Sequence, residues 1–283
     1  MFTGLALLLV LCGIALTLRA TTREMKLAEA KSAFVSNVSH ELKTPLALIR
    51  LFAEMLETGM VKHADKTQEY GRIINHESRR LTQLINNILD FSRIEAGRRE
   101  YQLTDANLGA VVEDVLQSYE YQMKSAGFAV TKHIAPNLPL VRVDRDAMAQ
   151  AVLNLLNNAV KYSPDDKRIE VRVEARAAQL AIAISDHGIG IPRAEQRRIF
   201  EKFYRVGSGL VHDTKGSGLG LSIVQHIVAA HHGQVTVEST PGQGSCFTIL
   251  LPVQQVDEAA SEPLAQTFAH NIGGHSVVEN PPH

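Results

Sequence analysis

The sequence predicts an α-helical hairpin that becomes a four-helix bundle on dimerisation, followed by an α/β sandwich, with one transmembrane helix at the N-terminus. Three observations predict it. Residues 2–18 carry no charge and are rich in leucine, alanine and valine. Two stretches between residues 35 and 91 repeat apolar residues by threes and fours, the spacing of helices that pack along a seam. Beyond residue 100, amphipathic helical segments interleave with short alternating runs punctuated by glycine, as in a mixed α/β layer.

The uncharged run is at the short end of what spans a bilayer. Arg19, Arg23, Lys26 and Lys31 follow it and place its C-terminal side in the cytoplasm. A cleaved signal peptide is the competing reading, but no basic stretch precedes the run and no small-x-small site follows it. From residue 19 to 56 there is no glycine, and Pro45 is the only proline, so one helix can continue into the first seam. That seam is Val35, Val38, Leu42, Pro45, Ile49, Phe52 and Leu56, and Thr58-Gly59 ends it. A polar loop leads to Lys66 and a second helix whose seam is Tyr70, Ile74, Glu77, Leu81, Leu84, Ile88 and Phe91. Two such stripes are too large for one hairpin to satisfy, so the pattern itself predicts a homodimer.

Residues 95–100 are charged, contain Gly97 and break the heptads, which makes them a hinge. Residues 107–126 read as a helix, 128–134 and 140–143 as strands, and Asp144 caps a helix to about Tyr162. Residues 168–175 and 179–185 alternate as paired strands, 218–232 form a helix closed by Gly233, and 234–239 with 245–251 form a last hairpin. The division expected is therefore 2–18, 24–96, 100–252, and a disordered tail at 253–283, where no periodicity survives. The formal net charge of −1 gives no reason to invoke nucleic acid. Cys12 and Cys246 support neither a disulfide framework nor a zinc site, and His270, His275 and His283 in the tail fit no familiar metal spacing.

Against this scaffold, several residues point to chemistry. His40 falls at heptad position f, away from the seam, with Glu41 beside it and Thr44 one turn later; Pro45 predicts a kink next to it. An imidazole is nucleophilic near neutral pH when a carboxylate holds its tautomer. Most lone histidines on a helix are merely solvated, so this face carries weight only alongside a nucleotide site. Asn154 and Asn158 lie four apart opposite a packed face, where their oxygens can meet Mg2+ that takes its remaining ligands from water and phosphate. Lys161 and Tyr162 extend that polar edge. Asp186 ends an apolar strand just before Gly188-Ile189-Gly190, whose glycines would let a base approach the backbone. Gly216, Gly218 and Gly220, with Leu219 among them, open a helix whose N–H groups can meet phosphate. Leu221 stands where a dinucleotide fingerprint needs its last glycine, and no G-x-x-x-x-G-K-[ST] occurs.

Five segments in order resemble the sensor histidine kinases of two-component signalling: His40-Glu41-Leu42-Lys43-Thr44-Pro45; residues 154–163; Asp186-His187-Gly188-Ile189-Gly190-Ile191-Pro192; residues 199–205; and Gly216-Ser217-Gly218-Leu219-Gly220-Leu221. The resemblance covers about residues 24–252. It implies a gyrase-type ATP-binding sandwich, with Asp186 accepting a hydrogen bond from the adenine amine and Thr248 helping to hold water around it. Residues 201–215 resemble the family's mobile ATP lid, anchored by Phe200 and Phe203, with Arg205 and Lys215 to neutralise charge on the γ-phosphate; His212 inherits no role. The implied activity is autophosphorylation of His40 by Mg-ATP, Glu41 acting as base or orienter, then transfer to an aspartate of a response regulator. Thr44 would position water for the reverse dephosphorylation. No receiver-like stretch follows, so the acceptor is expected on a separate protein. The expected location is a bacterial-type inner membrane with the catalytic region in the cytoplasm. Because the apolar run starts at once, the chain is expected to be the rear portion of a longer sensor. A gyrase- or chaperone-type ATPase has no place for the His40 helix, and a non-catalytic dimeric scaffold does not need the full set of nucleotide residues.

Overall fold

The computed structural model describes residues 2–59, 63–206 and 218–253. Helix α1, Phe2–Glu57, is continuous and carries Pro45 in its interior. Pro45 cannot donate to the Glu41 carbonyl, yet the helix does not stop there, because Pro45 is buried and the seam on both sides of it holds the register. Among the described residues, no helix is long and apolar enough to cross a membrane. Gly59, at φ 65°, ends the helix with its N–H on the Leu56 carbonyl.

Helix α2, Ala64–Glu95, returns antiparallel and starts two residues before Lys66. Phe52 and Tyr70 pack at 4.8 Å between ring centroids near the loop. From Val38 onward the seam residues are half-buried inside this one hairpin, Pro45 fully so, whereas Val35 at its start and Leu46, Leu51, Ile85 and Leu89 beside it stay exposed. Gly97, at φ 62°, closes α2, and the Arg98 N–H bonds the Arg93 carbonyl at 2.9 Å.

A short strand β1, Thr104–Ala106, follows, and the sequence reading did not anticipate it. Three residues show no period of their own; pairing with β3 makes them a strand. Helix α3, Leu108–Ser125, is capped by the Asn107 side chain, and α4, Arg145–Tyr162, by Asp144, which accepts from the Ala147 N–H. Strands β2 (Ala129–Ile134), β3 (Val141–Val143), β4 (Arg168–Arg176) and β5 (Gln179–Asp186) lie close to their expected bounds. A 3-10 turn at Arg198–Phe200, helix α5 (Gly220–Ala230) and the hairpin β6 (Gln234–Thr240) and β7 (Gly244–Pro252) complete the fold.

The main sheet runs β2-β4-β5-β7-β6, with β2 parallel to β4 and every other neighbour antiparallel; β1 and β3 form a separate pair. Helices α3, α4 and α5 cover one face and share a single core that includes Met148, Leu155, Ile182, Ile223 and Ile249. Period-two alternation sorts β7 cleanly: Ser245, Phe247, Ile249 and Leu251 are buried toward the helices, while Cys246, Thr248 and Leu250 face the other way. His231, at the end of α5, is buried. Its Nε2 accepts from the Asp144 N–H at 2.9 Å and its Nδ1 meets the Ile227 carbonyl, which ties α5 to the start of α4.

Candidate active site

The C-terminal half of α4, the end of β5, the start of α5 and the start of β7 meet at one end of the sheet and enclose a cavity of about 310 Å3. Asn154 and Asn158 line it from α4, as the four-residue spacing requires, with Lys161 and Tyr162 one turn further on. The Lys161 ammonium bonds the Tyr162 hydroxyl at 2.9 Å and lies 4.6 Å from its ring centre, so both are held at the rim. Asn157 also reaches the cavity; its carbonyl oxygen accepts from the Tyr119 hydroxyl, whose pKa is pushed up to about 12 by burial, so that proton stays in place. The sequence reading did not single out Asn157, because only the tertiary fold brings Tyr119 under it.

Asp186 sits at the floor of the cavity and is 8% exposed. Its Oδ1 accepts from the Gly188 N–H at 2.8 Å and from the Ser245 N–H at 3.3 Å. Burial pushes its carboxyl up from the ordinary aspartate value, and these two backbone donors, with the Ser163 hydroxyl, pull it part of the way back. The register pairs Asp186 with Ser245 directly. Thr248 does not share this site: it is opposite Ala183, on the outward face of β7, and its hydroxyl lies 3.9 Å from the Cys246 sulfur. The β-strand period turns Thr248 away and puts Ser245 beside Asp186. A signal for this existed, since the Gly244-Ser245 step that opens β7 must lie beside the end of β5.

The loop glycines carry a packing constraint as well. A Cβ on Gly188 would come within 2.1 Å of the Tyr162 carbonyl oxygen, and one on Gly190 within 2.1 Å of the Thr240 carbonyl oxygen. Their bareness lets protein pack closely against protein, and Gly190 also lines the cavity. Gly220 differs: a Cβ there would meet nothing nearer than Asn154 Oδ1 at 3.8 Å, so the first turn of α5 is open toward the cavity. Gly218, at φ 70°, borders the same space, whereas the side chain of Leu219 is fully buried in the core. Lys215, Gly216 and His212 lie outside the described residues. Arg205 lines the cavity, and Tyr204 stands beside it with its hydroxyl on Glu195 and the Arg198 guanidinium 4.1 Å from its ring centre.

The donor set suits Mg-nucleotide. The buried Nδ2 atoms of Asn154 and Asn157 have no hydrogen-bond partner among the described residues, an expensive state unless a ligand's oxygens meet them. Asn154 and Asn158 also present uncharged oxygens, which a hard cation accepts alongside phosphate. No cluster of three His, Cys, Asp or Glu that could hold a metal occurs among the described residues.

The opposite wall of the cavity belongs to the hairpin. Glu41 and Pro45 of α1 and Arg80, Gln83 and Asn87 of α2 line it. His40 is exposed on the flank of that wall and is not part of it. The Thr44 hydroxyl donates to the His40 carbonyl at 3.3 Å. Arg80, Gln83 and Asn87 form a helical polar stripe beside the Leu81-Leu84-Ile88 seam; the stripe was visible in the sequence, but its partner surface was not.

Residues 30–97 match the family described as the His Kinase A (phospho-acceptor) domain, and residues 143–255 match the histidine kinase-, DNA gyrase B- and HSP90-like ATPases. The chain belongs to the sensor histidine kinases of two-component systems. It is 39% identical over 254 residues to Drug sensory protein A of Synechocystis, a match that covers 86% of this chain and 38% of that one. The chain spans less than two thirds of the length of these curated relatives. Among solved structures it is similar to full-length ShkA in complex with AMPPNP, at a TM-score of 0.55 and 26% identity over 77% of this chain and 45% of that one. It shares its fold with the histidine kinase ThkA, solved in complex with the response regulator TrrA, at a TM-score of 0.55 and 20% identity over 81% of this chain and 63% of that one.

Proposed function

We propose that this kinase phosphorylates His40 from Mg-ATP and passes the phosphoryl group to an aspartate of a response regulator. The observation that carries the reading is one cavity walled on one side by Asn154, Asn158 and Asp186 and on the other by Glu41, the neighbour of His40. The Asp186 carboxylate accepts from the adenine amine, and the open first turn of α5 receives phosphate oxygens. Asn154 and Asn158 would hold magnesium, which offsets phosphate charge when bound. Arg205, with Lys215 and Gly216 of the lid, completes the phosphate end. Glu41 orients the His40 imidazole and takes its proton. Thr44 orients water in the reverse reaction on the docked regulator, a partner class that ThkA's complex with TrrA supports.

The working unit in this reading is a homodimer, because Leu46, Leu51, Ile85 and Leu89 remain in solvent beside the hairpin seam. The division into a phosphoacceptor segment at 24–96 and an ATP-binding segment at 100–252 belongs to the same proposal. So does membrane insertion through residues 2–18, supported by the uncharged run and its basic flank. The test is incubation of the purified dimer with labelled Mg-ATP. Label should appear on His40, survive alkali and be lost in acid, and His40→Gln should abolish it while nucleotide still binds. Equal labelling of that variant would overturn the assignment.

A further inference from the structure

The ATP-binding half of the chain is seated on its own hairpin by three separate contacts. Asp90 of α2 pairs with Arg99 at 2.5 Å, both side chains less than one fifth exposed, and Gln150 of α4 bridges them. The Arg99 guanidinium reaches the Gln150 carbonyl oxygen at 2.8 Å, while the Gln150 amide donates to Asp90. Next to this polar clasp, the Phe91 and Phe203 rings meet edge to face at 5.2 Å. Lys202 pairs with Glu95 at the end of α2. The linker is pinned as well: Tyr101 packs on His231 at 5.0 Å, and Arg99 lies 5.4 Å from the Tyr101 ring centre. Ion pairs largely withdrawn from water are little screened by salt, and a bridging amide fixes their geometry.

This clasp holds the nucleotide cavity against the hairpin of its own chain. With it closed, the wall opposite Asn158 is Glu41, Arg80, Gln83 and Asn87 of the same chain, and His40 precedes Glu41 on the same helical turn. We infer that the phosphoryl group passes within one chain, from the nucleotide held by Asn158 and Asp186 to His40 of the same subunit. The imidazole lone pair forms the P–N bond, and the bond from the γ-phosphorus to the bridging oxygen breaks with its electrons to ADP. The imidazolium proton then goes to the Glu41 carboxylate.

The inference rests on the kinase reading above, and heterodimers separate the two. Two chains bearing different affinity tags are co-expressed at full length, and only the doubly tagged dimer is assayed with labelled Mg-ATP. One dimer pairs His40→Gln with Asn158→Ala. The other pairs the unsubstituted chain with a chain carrying both changes. Transfer within a chain leaves the first dimer unlabelled and labels the second at about half the level of the unsubstituted homodimer. Transfer between chains labels the first and leaves the second blank, which overturns the inference but keeps the kinase reading. A blank in both, with a blank unsubstituted homodimer, overturns the kinase reading itself. Repeating the pair with Asp186→Asn in place of Asn158→Ala, at an ATP concentration that fills the unsubstituted site but not the weakened one, must give the same pattern if the substitutions act on nucleotide and not on folding.

Discussion

Replacing Asp186 by asparagine tests the floor of the site and its electrostatics together. In the structure one carboxylate oxygen already serves two backbone donors, Gly188 at 2.8 Å and Ser245 at 3.3 Å. An asparagine can keep both bonds with its carbonyl oxygen, which leaves its NH2 facing the adenine amine, donor against donor. The loss is one charge-assisted hydrogen bond, about 1.5–3 kcal/mol, or roughly ten- to 150-fold in ATP affinity. Stability should move the other way. Burial holds the Asp186 carboxyl above its ordinary pKa, so its protonated form contributes stability at acid pH that is lost as pH rises through the folded-state value. Asparagine does not titrate. The variant's melting temperature relative to the parent should therefore be most favourable near neutral pH, and the difference should shrink as pH falls toward the unfolded aspartate value. Calorimetric titration with ATP and with GTP, and thermal unfolding without nucleotide across that pH range, provide the two readings. Unchanged ATP affinity would mean that adenine is held elsewhere. A stability difference independent of pH would mean that Asp186 is not the buried charge inferred here.

Thr44→Ala should keep autophosphorylation within a few-fold and slow regulator dephosphorylation far more, both rates measured on one preparation. The Thr44 hydroxyl already bonds the His40 carbonyl, so a parallel fall in both rates would show that it shapes the helix at Pro45 instead. Gly188→Ala should destabilise the fold by about 1–3 kcal/mol, because the new methyl would meet the Tyr162 carbonyl oxygen at 2.1 Å and backbone must move. That is a melting temperature lower by roughly 2–12 °C, and an unchanged melting curve would show that the loop yields freely. The full chain should sediment with membranes and resist carbonate extraction, while a chain beginning near Arg23 is soluble; full-length protein soluble without detergent would count against the apolar run as an anchor.

Local patterns in the sequence determine much of this protein. The threes and fours of residues 35–56 and 70–91 predict two helices, since a helix cannot bury a stripe at any other spacing. Asn107 and Asp144 announce the helices they cap, because a short side-chain acceptor is what an exposed first turn lacks. The i, i+4 relation alone puts Asn154 and Asn158 on one face of α4. Each of these statements depends on residues a few positions apart, joined by covalent geometry.

What only the tertiary structure decided depends on residues far apart in the chain. Strand β1 exists because β3 offers it a partner, and Tyr119 orients Asn157 across 38 positions. Ser245 takes the place beside Asp186 that the family pattern suggested for Thr248, since register and pleat, not proximity in sequence, choose which side of β7 meets β5. Gly188 and Gly190 are bare because other backbone passes within van der Waals reach of them. The joining of two recognisable halves into one cavity was equally hidden. Asp90, Arg99, Gln150, Phe91 and Phe203 form no motif, and their meaning appears only when an ion pair, an amide bridge and an edge-to-face ring contact close between surfaces whose facing residues no local periodicity couples.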